Sequence, residues 1–166
     1  LNIVDIGRHL ERDDIAPPLR AVFIYNHNPV VVHPDQNRIR RGLLREDVFT
    51  VGIEVTMTES MGFCDIILPA ASQFEYDDLY GAYGQHHLQR AAAVIAPLGD
   101  SLPNTEIFRR LAARFGFDEL CFRTTDHELM DEALDLDSSR LHGVRPSEMA
   151  ANEALRMTTP DGRPLV

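Results

Sequence analysis

Three polar stretches in this sequence lie beside apolar runs and carry side chains able to hold a phosphorylated nucleoside. Asn26-His27-Asn28-Pro29 comes directly after the run Ala21–Tyr25. Asparagine tolerates left-handed backbone and Pro29 blocks regular continuation, so a tight turn ends the run. Such a turn can cradle a phosphate or a base, and it reads equally as a polar turn with structural asparagines. Glu54 ends the next apolar run, with Thr58 four residues on. A carboxylate there can accept from a ribose hydroxyl or a pair of guanine N–H groups, and a threonine hydroxyl can reach a phosphate. The plainer alternative is a solvated glutamate and a turn-capping threonine. Asp65 and Glu75 flank a third apolar stretch, and backbone amides are their simplest partners. His86 and His87 are neighbours on an extended segment and point to opposite faces, so they do not chelate one ion.

Other chemistries find no residues to carry them. Neither glycine-rich phosphate fingerprint occurs. Ser60 and Ser72 lack the small-residue elbow of a serine nucleophile, and neither cysteine has an electropositive sequence context. The residues describe a ligand-binding scaffold with no catalytic group and no metal ligand of its own.

The elements that must position these side chains follow from periodicity. Residues 1–20 carry Ile3, Ile6 and Leu10 at helical spacing and then the Pro17-Pro18 break, which predicts a short helix leading into a loop. Ala21–Tyr25 is a strand buried on both faces. Residues 35–45 set Ile39, Leu43 and Leu44 against four arginines, an amphipathic helix with Asp35 as its N-cap. A strand over 48–55 follows. Strand, turn, helix and strand in so short a span make a βαβ unit, hence parallel strands, and 65–68 is expected to add a third before Pro69. Residues 76–89 read as an irregular aromatic loop and Val94-Ile95 as a short strand. Asn104 opens a helix whose stripe is Ile107, Phe108, Leu111, Ala112 and Phe115, with Gly116 as its stop. Residues 118–140 hold eight acids; helices are expected over 126–136 and from Pro146 to about Met157. The expected fold is α/β, a three-layer Rossmann-like domain with a mainly parallel sheet over 1–117, followed by an acidic helical extension over 118–166.

With 166 residues, 44% hydrophobic and 25% charged, the chain is long enough to bury a core without staples. Its formal charge of −10 opposes general binding to nucleic acid, and no apolar run is long enough to cross a membrane. The two cysteines are far apart and suit a reducing compartment, so the cytoplasm is the expected location. The sequence opens at Leu1 on residues that already read as folded, so an interior piece of a longer polypeptide is expected.

The strings NHNP (26–29), FTVGIEVTMTES (49–60), CDIILPAASQFE (64–75) and YGQHHLQRAAAVIAPLGDSLPNTEIFRRLAARFG (83–116) resemble, in order and spacing, the molybdopterin oxidoreductases. These are the bis-molybdopterin guanine dinucleotide enzymes related to DMSO reductase, nitrate reductase and formate dehydrogenase. The resemblance covers about residues 20–117. It implies an α/β domain holding the guanosine diphosphate end of the cofactor through Asn26, Asn28, Ile53, Glu54, Thr58 and Asn104. Glu54 replaces the commoner Asp, Asn104 replaces an Asp at the helix start, and Cys64 stands where the family usually has Ala. By the same resemblance, the molybdenum or tungsten ligand and any 4Fe-4S cluster belong to upstream sequence. The partners would be the remaining domains of the parent and an iron–sulfur electron-transfer subunit, and the segment alone would be inactive. Two other readings fit the residues: a non-catalytic docking module of the same fold, and a generic nucleotide-binding α/β domain.

Overall fold

The run after the Pro17-Pro18 break forms β1 (Ala21–Tyr25), and a helical crossover returns the chain to β2 (Phe49–Glu54). The structure, a computed structural model, describes residues 2–12, 14–81, 83–151 and 153–165. The chain divides into two units, Leu1–Ala70 and Ala71–Val166.

In the first unit β1, β2 and β3 (Ile66–Pro69) form a parallel sheet in the order β1-β2-β3. Ala21 pairs with Phe49 and Tyr25 with Ile53; Ile53 pairs in turn with Leu68. The central strand is buried from Thr50 to Ile53, as a strand without polar alternation should be. The parallel sheet expected from the sequence is therefore present. Two helices cover the crossover side: α1 (Ile6–Glu11) and α3 (Gln36–Leu43). Leu10, Ile24, Val30, Ile39, Leu43 and Met61 make the core, each full burial contributing about 1.5–3 kcal/mol before entropy. The helices approach so closely that a Cβ on Gly42 would lie 2.3 Å from Leu10 Cβ. On the outer side Glu11 takes Arg41 at 2.6 Å and Arg38 at 3.3 Å.

Three local expectations change in this unit. A one-turn helix, α2 (Pro29–Val32), follows the asparagine turn, with Pro29 at its start where a missing N–H does no harm. Asp35 precedes α3 but makes no capping bond; it has left-handed backbone (φ 58°) and its carboxylate pairs with Arg38 at 3.2 Å. Strand β3 runs on through Pro69 instead of stopping before it.

In the second unit the stretch expected to be an irregular loop is an antiparallel hairpin, β4 (Asp78–Gly81) and β5 (His87–Ala91). Gln85 turns it: its Oε1 accepts from the His87 amide at 2.6 Å. The described residues of 146–157, expected helical, hold a 3-10 turn (Pro146–Glu148) and then β6 (Ala154–Arg156), which pairs with β5. Leu88, Leu141 and Met149 form the core beneath. Val94-Ile95 is no strand; both amides bond to the Phe74 carbonyl. Helix α4 (Asn104–Phe115) forms as its stripe predicts and ends on Gly116 at φ 75°. Helix α5 (Asp126–Glu132) is shorter than expected and opens on a capping box between Thr125 and Glu128.

Candidate functional site

The carboxyl ends of β1 and β2 are adjacent, and two turns leave from them. The first is Asn26–Pro29 and the second runs over 55–60. Turns at this edge of a parallel sheet are where α/β folds place ligands. Asn26 has left-handed backbone (φ 49°), which lets the chain bend as soon as β1 ends, and its amide still donates to the Ile53 carbonyl of β2 at 3.4 Å.

One side chain ties the turns together. Asn28 Oδ1 accepts from Ser60 Oγ at 2.6 Å and from the Ser60 amide at 3.2 Å. Ser60 is fully buried, and its Oγ also accepts from the Val30 amide at 3.0 Å. The other end of the Asn28 amide donates to Glu59 Oε2 at 3.1 Å. Glu59 is exposed; its own backbone amide and Asn28 hold its carboxyl below the usual range, aided by the charge of Arg40. Next to it, Thr58 Oγ1 is buried without a hydrogen-bond partner among the described residues. Leaving a hydroxyl so costs about 1–3 kcal/mol. His9 Nδ1, Arg90 Nε and Ser101 Oγ are also buried without a partner there. Of these four residues only Thr58 stands in one of the two turns.

The remaining predicted residues fall into different settings. Glu54 is half-buried and folded back on its own strand, with Oε1 accepting from the Val55 amide at 2.8 Å. Ile53 is fully buried in β2. Asn104 is the first residue of α4 and belongs to the second unit. The first unit thus brings Asn26, Asn28, Glu54 and Thr58 to one sheet edge with Ile53 beneath it. Reasoning from the sequence missed Glu59 and Ser60 as a pair bound to Asn28; the signal was the unbroken polar run Thr58-Glu59-Ser60.

The acids that first attract attention are structural, as expected. Asp65 Oδ2 accepts from the Thr50 amide at 2.7 Å and the Thr50 hydroxyl at 2.8 Å, and these bonds hold its carboxyl below the usual range. In the second unit Glu75 takes the Ser72 and Leu98 amides, both at 2.6 Å, with the same consequence. Asp77 is drawn down to about 2 by the Ala93 amide and then by Arg90 at 2.8 Å. Burial and then the charge of Asp65 push the Cys64 thiol up, the direction that disfavours a thiolate. No cluster of three metal-ligating side chains occurs among the described residues, and no helix there is long and apolar enough to cross a membrane.

Comparisons with known proteins bear on the family and the fold. Residues 9–114 match the family model described as molybdopterin oxidoreductase. The probable oxidoreductase YoaE of Bacillus subtilis is 45% identical over 134 residues, which is 81% of this chain and 19% of that protein. Trimethylamine-N-oxide reductase 1 of Escherichia coli K12 is 33% identical over 105 residues, 62% of this chain and 12% of the reductase. Acetylene hydratase from Pelobacter acetylenicus superposes with a TM-score of 0.66 at 23% identity, over 78% of this chain and 18% of that one. The chain thus spans about a fifth or less of the length of each.

Proposed function

Because this chain belongs to the molybdopterin oxidoreductase family, we propose that it is the part of a larger oxidoreductase that holds the guanosine diphosphate end of a molybdopterin guanine dinucleotide. The observation that carries this is the buried, unpartnered Thr58 hydroxyl in the turn leaving β2. It lies in the same turn as a pre-aimed carboxylate, and both turns leave the carboxyl edge of a parallel sheet. A phosphorylated nucleoside supplies what that hydroxyl lacks, an acceptor, together with donors for carboxylates. The residues present fit the group.

In this reading Thr58 donates to a phosphate or ribose oxygen, and Glu54 presents its second oxygen at the strand end. Asn26 shapes the approach, Asn28 braces it and Ile53 forms its apolar floor; Asn104, at the start of α4, is proposed as a cofactor contact on the family resemblance alone. The bound cofactor, with molybdenum or tungsten, would supply two-electron chemistry at the metal; this chain's role is to bind and orient it. The three-layer Rossmann-like arrangement would be completed by other parts of the parent. Those parts would also supply the metal ligand and any iron–sulfur cluster, with an electron-transfer subunit as partner. The cytoplasm remains the proposed location.

The test is made in the parent protein. Thr58→Val and Glu54→Ala are each expected to lower the molybdenum and pterin retained after dialysis about tenfold, with the melting temperature of the cofactor-free protein preserved. Full retention in both variants would leave a docking module or a generic nucleotide fold as the better reading.

A further inference from the structure

The bonding of Asn28 gives the site a residue that neither the family resemblance nor the turn pattern singled out. Asn28 Oδ1 already receives two donors, from Ser60 Oγ at 2.6 Å and Ser60 N at 3.2 Å, so its acceptor capacity is full. Its amide nitrogen donates to Glu59 Oε2 at 3.1 Å. An asparagine in this state has one remaining hydrogen to offer a ligand. What it does instead is aim a carboxylate. Glu59 is exposed, and Oε2 is the one oxygen committed to another side chain. It adjoins Thr58, whose hydroxyl is buried without a partner. Glu54, the acid expected to read the nucleoside, keeps one oxygen on the amide of Val55.

From this geometry we infer that Glu59 accepts a hydrogen bond from the nucleoside part of the bound cofactor, with Asn28 as the positioning residue that aims it. The inference rests on the cofactor reading above. The donor must be neutral, a ribose hydroxyl or a purine N–H, since a carboxylate repels phosphate. Arg40 supports the division of labour. Its charge reaches Glu59, and among the described residues it makes no ion pair, whereas Arg38 and Arg41 on the same helix are both held by Glu11. An anion arriving beside Glu59 would therefore meet a cation on α3 that no salt bridge among the described residues holds.

The experiment uses the full parent protein purified with its cofactor. Molybdenum by mass spectrometry and guanine nucleotide released by acid are followed over days of dialysis, alongside melting of the cofactor-free form. Glu59→Gln keeps the bond from Asn28 and removes the charge. It is expected to speed cofactor loss about tenfold without moving the melting temperature. Asn28→Asp keeps the acceptor for Ser60 but sets two carboxylates against each other, and should do the same. In the double variant the new amide at position 59 can donate to the new carboxylate at position 28, which should recover part of the loss; a merely structural Asn28 would give no such rescue. If Glu59→Gln retains its cofactor while Thr58→Val loses it, the assignment of Glu59 is wrong and the cofactor site stands. If all of these variants, including Thr58→Val, keep their cofactor, the site itself is wrong.

Discussion

Two polar regions of this chain carry similar residues and use them in opposite ways. Around Glu75 and Asp77 in the second unit every carboxylate oxygen has a protein partner: two backbone amides for Glu75, one amide and Arg90 for Asp77. In the 55–60 turn of the first unit the hydroxyl of Thr58 has none among the described residues, and Glu59 has one oxygen committed to a side chain. A carboxylate saturated by amides is held charged and cannot reach outward, so it organises loops. A buried hydroxyl left open is a standing cost that something else must offset. The contrast separates scaffold from site by partners and not by residue type, since a glutamate stands in each.

The largest way to break that contrast is to open the saturated region. Asp77→Ala removes the counter-charge of Arg90, whose side chain is 16% exposed and keeps only its bond to the Met149 carbonyl as a strong partner, and should lower stability by about 2–3 kcal/mol in a denaturant melt, leaving cofactor retention in the parent intact. The wild-type pH profile reports the same bonds. Asp77 has its carboxyl lowered from 3.8 to about 2, so its contribution is full above the unfolded value and is lost as pH falls through the folded one, on the order of 2 kcal/mol in all. An acid melt in which Asp77→Ala loses no less stability than wild type between those two values would overturn the assignment. Next in size, Ile53→Val should lower stability by about 1 kcal/mol, as a fully buried core position does; if cofactor retention falls instead of stability, Ile53 is a contact and not a floor. The smallest effect concerns His27 and His33, whose Nε2 atoms lie 2.6 Å apart across α2. Burial and then the neighbouring ring push the His27 imidazole down. A ring kept neutral in the fold stabilises fully above its ordinary value and less as pH falls below it. His27→Gln should therefore flatten the stability profile between about pH 7 and 5.

The sequence was most legible where one strong local signal decided the outcome. Ala21–Tyr25 and Phe49–Glu54 are continuous apolar runs, and α4 has an uninterrupted stripe with Gly116 behind it. The hairpin was hidden because β4 and β5 lack alternation: of their residues only Leu88 is buried, and Gly, Tyr and His around them read as loop. Strand β6 is three residues long and exists through a partner more than sixty positions away, which no local window contains. Helix α2 was hidden by its own first residue, since a proline that starts a helix looks like one that ends a strand. For the site, the residue types were readable and the partners were not. Asn28 and Ser60 are thirty-two positions apart, so whether Asn28 faces a ligand or the protein is a tertiary fact.

The contact at Gly42 also makes two short helices into one unit. Helix α1 has six residues and α3 has eight, both below the length at which a helix persists alone in water. Leu10 lies where any side chain at position 42 would have to go, and Leu10, Ile39 and Leu43 share one core with Ile24 of β1. Each helix therefore depends on the other and on the sheet, so a side chain at position 42 would loosen the pair together.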